Sequence, residues 1–97
     1  MIEEAPHLMA QCRLASGRHI ELAVLDISLC GCMIDRRGWT PAPDERILMR
    51  LPGLSSQPAT VTWVEGEKAG LTFEQALYEP VLAHLQQSID GALQPAP

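Results

Sequence analysis

Three residues in the first third of the chain are of types that together suit the binding of a small polar ligand. Asp26, Ser28 and Gly31 form the pattern D-x-S-x-x-G between two apolar segments. A carboxylate accepts hydrogen bonds from N–H groups, a hydroxyl both donates and accepts, and a glycine lets a ligand approach the main chain closely. The same residues also suit a corner between strands, where Asp and Ser bond neighbouring backbone amides and Gly31 supplies only a backbone angle. The motif alone is compatible with a ligand site and with a corner.

The cysteines and one histidine are candidate ligands of a metal site. Cys30 and Cys32 are two residues apart, so on a strand both thiols point to the same face. Zinc sites usually have the spacing C-x₂₋₄-C, repeated or combined with histidines, and this chain adds only Cys12 and His19. Cysteine is also among the most often buried residue types. We therefore interpret all three cysteines as reduced core residues and expect no metal or other cofactor.

Hydrolytic chemistry has little support in the sequence. His7, His19 and His84 are scattered, and neither G-x-S-x-G nor H-E-x-x-H occurs. We expect no enzymatic activity.

Charge and hydropathy limit the partners and the location. The formal net charge of −5 argues against a nucleic-acid polymer as partner, because such ligands select basic surfaces. The first residues, MIEEAPHLM, are partly acidic and lack the apolar core of a signal peptide. No apolar run approaches the roughly 18 residues of a membrane helix. The sequence predicts a cytoplasmic protein without membrane insertion, and its 97 residues suit one domain.

Six short segments alternate apolar and polar residues with the period of a strand. They cover residues 8–14, 19–26, 31–35, 46–51, 59–65 and 69–74. Alternation places Ala59, Val61 and Trp63 on one face, which predicts that Trp63 lies in the core. From Pro80 the period changes, and Val81, Leu82, Leu85 and Ile89 define one face of a helix that Gly91 would end.

One loop between these strands carries a basic pair and a tryptophan. Arg36 and Arg37 follow the third strand, and Trp39 lies beside them among Pro and Gly residues. An exposed tryptophan near arginines is a common interface anchor. A loop tryptophan also often folds back as a lid, and both interpretations stay open.

The order of these features resembles the PilZ domain, a bacterial module best known as a cyclic di-GMP receptor. The resemblance rests on D-x-S-x-x-G between the second and third strands, the hairpin VTWVEGEKAGLTF and the final helix, over residues 8–90. It implies an all-β fold: a six-stranded antiparallel barrel of the split-barrel type with a C-terminal α-helix. It also implies that Asp26, Ser28 and Gly31 line the nucleotide site.

A second motif of the family, R-x-x-x-R just before the first strand, is missing. The corresponding segment, MIEEAPHLMA, contains Glu3, Glu4 and His7 but no arginine, and the nearest arginines, Arg13 and Arg18, are five apart. Two lost charged hydrogen-bond donors remove about 3–6 kcal/mol, and a micromolar ligand is held by only about 8 kcal/mol. We therefore expect cyclic di-GMP to bind more weakly than about 0.1 mM.

Two functions follow from this resemblance. In the first, the chain is an adaptor that contacts a protein partner in motility, attachment or polysaccharide control, through the face near Asp26 and the 36–43 loop. In the alternative, it is a working cyclic di-GMP receptor that uses Asp26, Ser28 and Gly31 with Arg36 and Arg37 as non-standard phosphate contacts. We favour the adaptor, and we interpret the arginine pair as a solvated strand end.

Overall fold

The computed structural model of the protein describes residues 8–42 and 44–90. Its elements are β1 (Met9–Arg13), β2 (His19–Ile27), β3 (Gly31–Asp35), β4 (Arg46–Arg50), β5 (Gln57–Glu65), β6 (Lys68–Phe73) and α1 (Glu79–Asp90). The six predicted strands and the C-terminal helix are therefore confirmed. Pro80 occupies the first turn of α1, where its missing N–H removes no helical hydrogen bond. The predicted stop at Gly91 lies outside the described residues.

The strands form one closed antiparallel barrel. Their order around the barrel is β1-β2-β3-β6-β5-β4, and β4 pairs with β1 to complete the circle. The predicted six-stranded antiparallel barrel is thus confirmed. Within the described residues, each strand pairs with a neighbour on both sides over at least part of its length, so the barrel has no edge strand.

Aliphatic side chains fill the barrel interior. Each strand sends alternate residues inward, as the period of two predicts. The largest buried side chains are Leu8, Leu22, Ile34, Ile47, Met49, Leu51 and Leu85. Within the part of the chain that the structure describes, no polar or charged residue is buried.

Two β-bulges interrupt the alternation, one in β2 and one in β5. The pairing of β2 with β3 shifts register between Val24 and Asp26, and the pairing of β5 with β6 shifts between Val61 and Trp63. A bulge inserts one residue and turns the following side chains to the opposite face. Asp26 and Trp63, which strict alternation would direct inward, are exposed instead. The prediction that Trp63 lies in the core is wrong for this reason.

The helix packs against β2, and its Leu85 belongs to the same cluster of buried residues as the barrel interior. Leu85 is only 1% exposed and provides the buried centre of this contact. The side-chain amide of Gln86 donates to the carbonyl oxygen of Ile27 at 3.3 Å. The backbone N–H of Leu77, just before the helix, donates to the carbonyl oxygen of Leu29 at 2.9 Å. The helix and the segment before it therefore hold the corner between β2 and β3.

Two sequence interpretations need correction at single residues. Cys12 and Cys32 are buried as expected, but Cys30 is exposed because it lies in the corner before β3. Trp39 is only 8% exposed, so the loop folds back as a lid and the interpretation as an exposed anchor is wrong. Its N–H and carbonyl oxygen both bond Arg36, which fixes the fold of the loop.

None of the helices within residues 8–42 and 44–90 is long and apolar enough to cross a membrane.

Candidate functional site

An open groove of about 390 Å³ lies on the outer surface of the barrel, over the β3–β6 pair. Asp26, Ser28 and Gly31 all line it, so the structure brings the three residues of the motif together. The opposite wall belongs to β5 and includes Thr62 and Trp63.

One row of residues crosses the groove from β2 to β5. Asp26 pairs with Met33, Met33 pairs with Gly70, and Gly70 pairs with Trp63. The row therefore has a carboxylate at one end and an indole at the other. Three strand spacings separate the two ends, about 14 Å between Cα atoms. A flat heteroaromatic ring fits this arrangement, since an indole stacks on such a ring and a carboxylate accepts from its N–H groups.

The indole of Trp63 lies directly over Gly70. A Cβ built on Gly70 would overlap Nε1 and Cε2 of the indole, so only glycine leaves room for this position. Trp63 remains 42% exposed, and its ring forms part of the groove wall. Sequence reasoning missed this residue. The available signal was a glycine in the interior of a strand, which often marks a close approach by another group.

The corner itself is closed by short local hydrogen bonds. The backbone N–H of Ser28 donates to the carbonyl oxygen of Gly31 at 2.8 Å, and the N–H of Cys30 donates to Oγ of Ser28 at 3.3 Å. Oδ1 of Asp26 accepts from the N–H of Ile27 at 2.9 Å. Asp26 and Ser28 thus make the bonds expected of a corner. Among the described residues, no protein group donates to Oδ2 of Asp26, so this oxygen can accept from a ligand.

Position 31 requires a glycine because β6 lies too close for a side chain, and not because of the backbone angle. Its φ is not in the left-handed region, unlike that of Gly17 or Gly66. A Cβ at this position would overlap the carbonyl oxygen of Leu71 on β6. Any larger residue would therefore push β3 away from β6 at the floor of the groove.

Positive charge is missing from the groove. Among the residues of the described chain that line it, Asp26 is the one charged side chain and none is a lysine or arginine. A phosphate group placed here would meet no guanidinium and would face a carboxylate.

Arg36 and Arg37 lie elsewhere. They follow Asp35, which ends β3 about 13 Å from Gly31 along the strand. The guanidinium of Arg36 donates to the carbonyl oxygens of Gly66 at 2.7 Å and Trp39 at 3.0 Å, so it serves the local structure. Arg37 is exposed to solvent. The structure does not bring this pair into the groove with the D-x-S-x-x-G residues.

The described cysteine and histidine residues, which exclude His7, do not gather into a metal centre. In the part of the chain that the structure describes, no group of three or more His, Cys, Asp or Glu side chains has metal-binding geometry. Burial raises the pKa of both the Cys12 and the Cys32 thiols to about 12, and the charge of Cys12 adds to the effect on Cys32. Both thiols therefore stay protonated at neutral pH.

The model of the PilZ domain family matches residues 6–91. The chain belongs to the PilZ family. This is a family of cyclic di-GMP receptors, and its domains are binding or adaptor domains.

A solved structure supports the same fold. The PilZ domain of CeSA from a cellulose-synthesizing bacterium is 11% identical to this PilZ domain and superposes with a TM-score of 0.58. The match covers 93% of this chain and 97% of the other. At this low identity the likeness establishes the fold alone. A search of curated proteins gave no match.

Proposed function

We propose that this PilZ domain is a cytoplasmic signalling adaptor that acts through protein contacts and binds cyclic di-GMP weakly or not at all. One observation carries the proposal. The groove keeps the residues of one side of a nucleotide site, Asp26, Ser28 and Gly31, but no arginine or lysine among the described residues lines it. A doubly charged phosphodiester ligand gains most of its binding energy from charged donors, which this groove does not offer.

The proposed contact surface adjoins the groove on the side of β5. Trp63 forms one wall of the groove and also lines a second cavity, of about 300 Å³, with Pro41 and Val64. Val64 is 45% exposed and does not line the groove. The exposed indole and this valine thus offer a partner a partly apolar surface beside the loop after β3, and such surfaces commonly mark interaction sites.

The alternative function, a receptor that uses Arg36 and Arg37, is disfavoured by their positions. Arg36 is already bonded to two backbone carbonyl oxygens, and both arginines lie at the far end of β3 from the groove. To contact a nucleotide in the groove, the loop would have to release Trp39 from the core, where it is almost fully buried.

Isothermal titration calorimetry at low salt tests the ligand half of the proposal. We expect cyclic di-GMP to bind this chain more weakly than about 0.1 mM. Micromolar affinity would refute the adaptor and favour the receptor. If such binding appeared and survived in Asp26→Ala, the assignment of the groove would also be wrong.

A gain-of-function variant tests the groove directly. Glu3→Arg with His7→Arg creates the spacing R-x-x-x-R before β1, and we expect cyclic di-GMP to bind about a hundredfold more tightly. The matched control, Glu4→Arg with His7→Arg, adds the same charge at a spacing of three and should gain much less. Asp26→Ala added to the first variant should remove the gain. Equal gains in affinity for the two arginine pairs would indicate a general charge effect. That result would count against a nucleotide site formed by Asp26, Ser28 and Gly31.

A complementation assay tests the partner half. In cells that lack the protein, Val64→Asp should fail to restore motility or polysaccharide control, because it places a charge in the apolar contact surface. Asp26→Ala should restore it, because the adaptor does not need the nucleotide. The opposite pattern would favour the receptor.

A further inference from the structure

A second surface lies on the side of the barrel away from the groove. It is formed by Arg13 of β1 and by Arg46, Leu48 and Arg50 of β4, and we name it the arginine face. In the closed order of six strands, the β1–β4 pair is three places from the β3–β6 pair that carries the groove. The two surfaces therefore point in opposite directions.

The strand register sets the arrangement of the arginine face. Arg13 pairs with Leu48, and Arg46 and Arg50 lie two residues to either side of Leu48 on the same face of β4. Diagonal neighbours across antiparallel strands are about 7 Å apart, so Arg13 is close to both other arginines. All three arginines are exposed, and Leu48 is 36% exposed at their centre.

Two of the three arginines form no ion pair within the described residues. Arg46 makes a two-pronged ion pair with Glu74, with N···O distances of 2.5 and 3.2 Å. This hydrogen-bonded pair raises the pKa of Arg46 and lowers that of Glu74. No carboxylate of residues 8–42 and 44–90 lies within ion-pair distance of Arg13 or Arg50. An anionic partner can therefore approach these two without displacing an internal acid.

The spacing of Arg13 and Arg50 fits an extended peptide. Side chains on one face of an extended chain repeat about every 7 Å, which equals the diagonal distance between the two arginines. Two acidic residues separated by one residue would each meet a guanidinium, and Leu48 between them adds apolar contact. Since β1 and β4 pair with each other at this face, the partner must be recognised through these side chains and not by adding a strand.

A protein segment fits this face better than a nucleic acid. The chain as a whole carries a net charge of −5, which opposes a long polyanion but not a short acidic segment. Single-stranded nucleic acids also need aromatic side chains on which bases stack. The four residues of the arginine face are three arginines and a leucine.

We propose that the arginine face binds an extended acidic segment of a partner protein, with carboxylates at alternate positions on Arg13 and Arg50. This surface is separate from the contact surface near Val64 and from the groove. Its occupation does not depend on whether cyclic di-GMP binds.

Nuclear magnetic resonance titration with a synthetic peptide of alternating glutamate and valine, at low salt, tests the proposal. We expect the amide signals of β1 and β4 to shift, while those of Gly31 and Gly70 in the groove stay in place. Arg13→Gln with Arg50→Gln should weaken peptide binding about tenfold, since it removes two exposed ion pairs. The matched control, Arg37→Gln with Lys68→Gln, changes the net charge equally and should bind like the unchanged protein.

Four results would overturn the proposal. Equal weakening in the two double variants would show that only total charge matters. Shifts centred on the groove would mean that the acidic segment binds there and not at the arginine face. Absence of any binding would mean that the arginine face does not recognise an acidic segment. Tighter binding of a single-stranded thymidine oligonucleotide of the same charge would assign the face to nucleic acid. Thermal unfolding of each variant confirms that the exposed substitutions leave the barrel folded. Each of these results is independent of the cyclic di-GMP titration, which reports on the groove.

Discussion

At the scale of single residues, the groove depends on how Trp63 and Gly70 share space. The glycine leaves a gap on the outer face of β6, and the indole from β5 fills it. The tryptophan can therefore lie flat against the barrel surface and present one ring face to the groove. A side chain at position 70 would lift the ring and change the shape of the groove wall.

A double-mutant cycle measures this dependence. We expect Gly70→Ala to destabilise the protein by about 1–3 kcal/mol, because its Cβ overlaps the indole and forces Trp63 from its position. In a Trp63→Ala background the same change should cost much less, because the clashing ring is gone. Urea unfolding of the four proteins gives the coupling free energy. Additive effects would mean that the indole does not lie over Gly70.

The sequence identified one side of the groove but not the other. Asp26, Ser28 and Gly31 were predicted to act together because their spacing is a family motif, and they do line one groove. Trp63 was assigned to the core, because its neighbours at alternate positions, Val61 and Ala59, are apolar. Apolar neighbours are equally compatible with an outward indole after a bulge. The phase of the strand was therefore undetermined at Trp63.

At the scale of elements, the two β-bulges orient the groove. One turns Asp26 outward on β2 and returns Ile27 to the core, and the other turns Trp63 outward on β5. The bulge in β2 has a sequence signal, since an acid occupies the inward phase and Ile27 the outward one. Single extra residues next to binding sites commonly re-aim side chains in this way. Strand positions were thus predictable from periodicity, whereas the exact residue of a phase change was not.

The helix α1 is held to the barrel mainly by its contact with one strand, β2. It contacts β2 and is anchored there by Leu85. A helix of 12 residues is marginal in isolation, so it needs this packing to persist. We expect Leu85→Ala to lower the free energy of unfolding by about 2–5 kcal/mol, measured by urea denaturation.

The neighbouring exposed residue provides the control for this prediction. His84→Ala, on the same helix, should change the free energy of unfolding by less than about 0.5 kcal/mol. If the two variants were equally stable, the buried contact between α1 and β2 would not exist in solution. Loss of amide protection confined to the helix and the β2–β3 corner would support the attachment described.

At the scale of the whole molecule, the closed barrel encloses two thiols and leaves one outside. Cys12 and Cys32 lie in the interior, and Cys30 lies in the exposed corner. The two inner thiols are reachable only when the barrel opens. Their reactivity therefore reports on the stability of the whole barrel, whereas that of Cys30 does not.

This enclosure predicts how stability depends on pH. In the folded state the pKa of each inner thiol is about 12, against an ordinary value of 9.0 in the unfolded chain. Between these values the unfolded chain has lost protons that the folded chain retains. The free energy of unfolding should therefore be unaffected by these thiols below pH 9 and fall as the pH rises from 9 to 12.

Urea unfolding at several alkaline pH values checks this expectation. The variant Cys12→Ala with Cys32→Ala removes both inner thiols, so its stability should fall less steeply above pH 9 than that of the unchanged protein. Identical slopes would show that the inner thiols already titrate normally. A thiol reagent at pH 8 should in addition modify Cys30 rapidly and the other two at the rate of global opening.

The strand order has a consequence for how the chain is held together. Residues 9–35 form one three-stranded sheet, β1-β2-β3, and residues 46–73 form a second, β4-β5-β6. Strand pairing joins these two consecutive halves where β3 pairs with β6 and where β1 pairs with β4. The groove spans the first junction and the arginine face spans the second. A molecule bound at either place therefore bridges both halves of the chain, and its binding energy adds to their association. If the chain were cut in the loop between Arg36 and Glu45, each ligand would act as a clamp that keeps the two fragments joined.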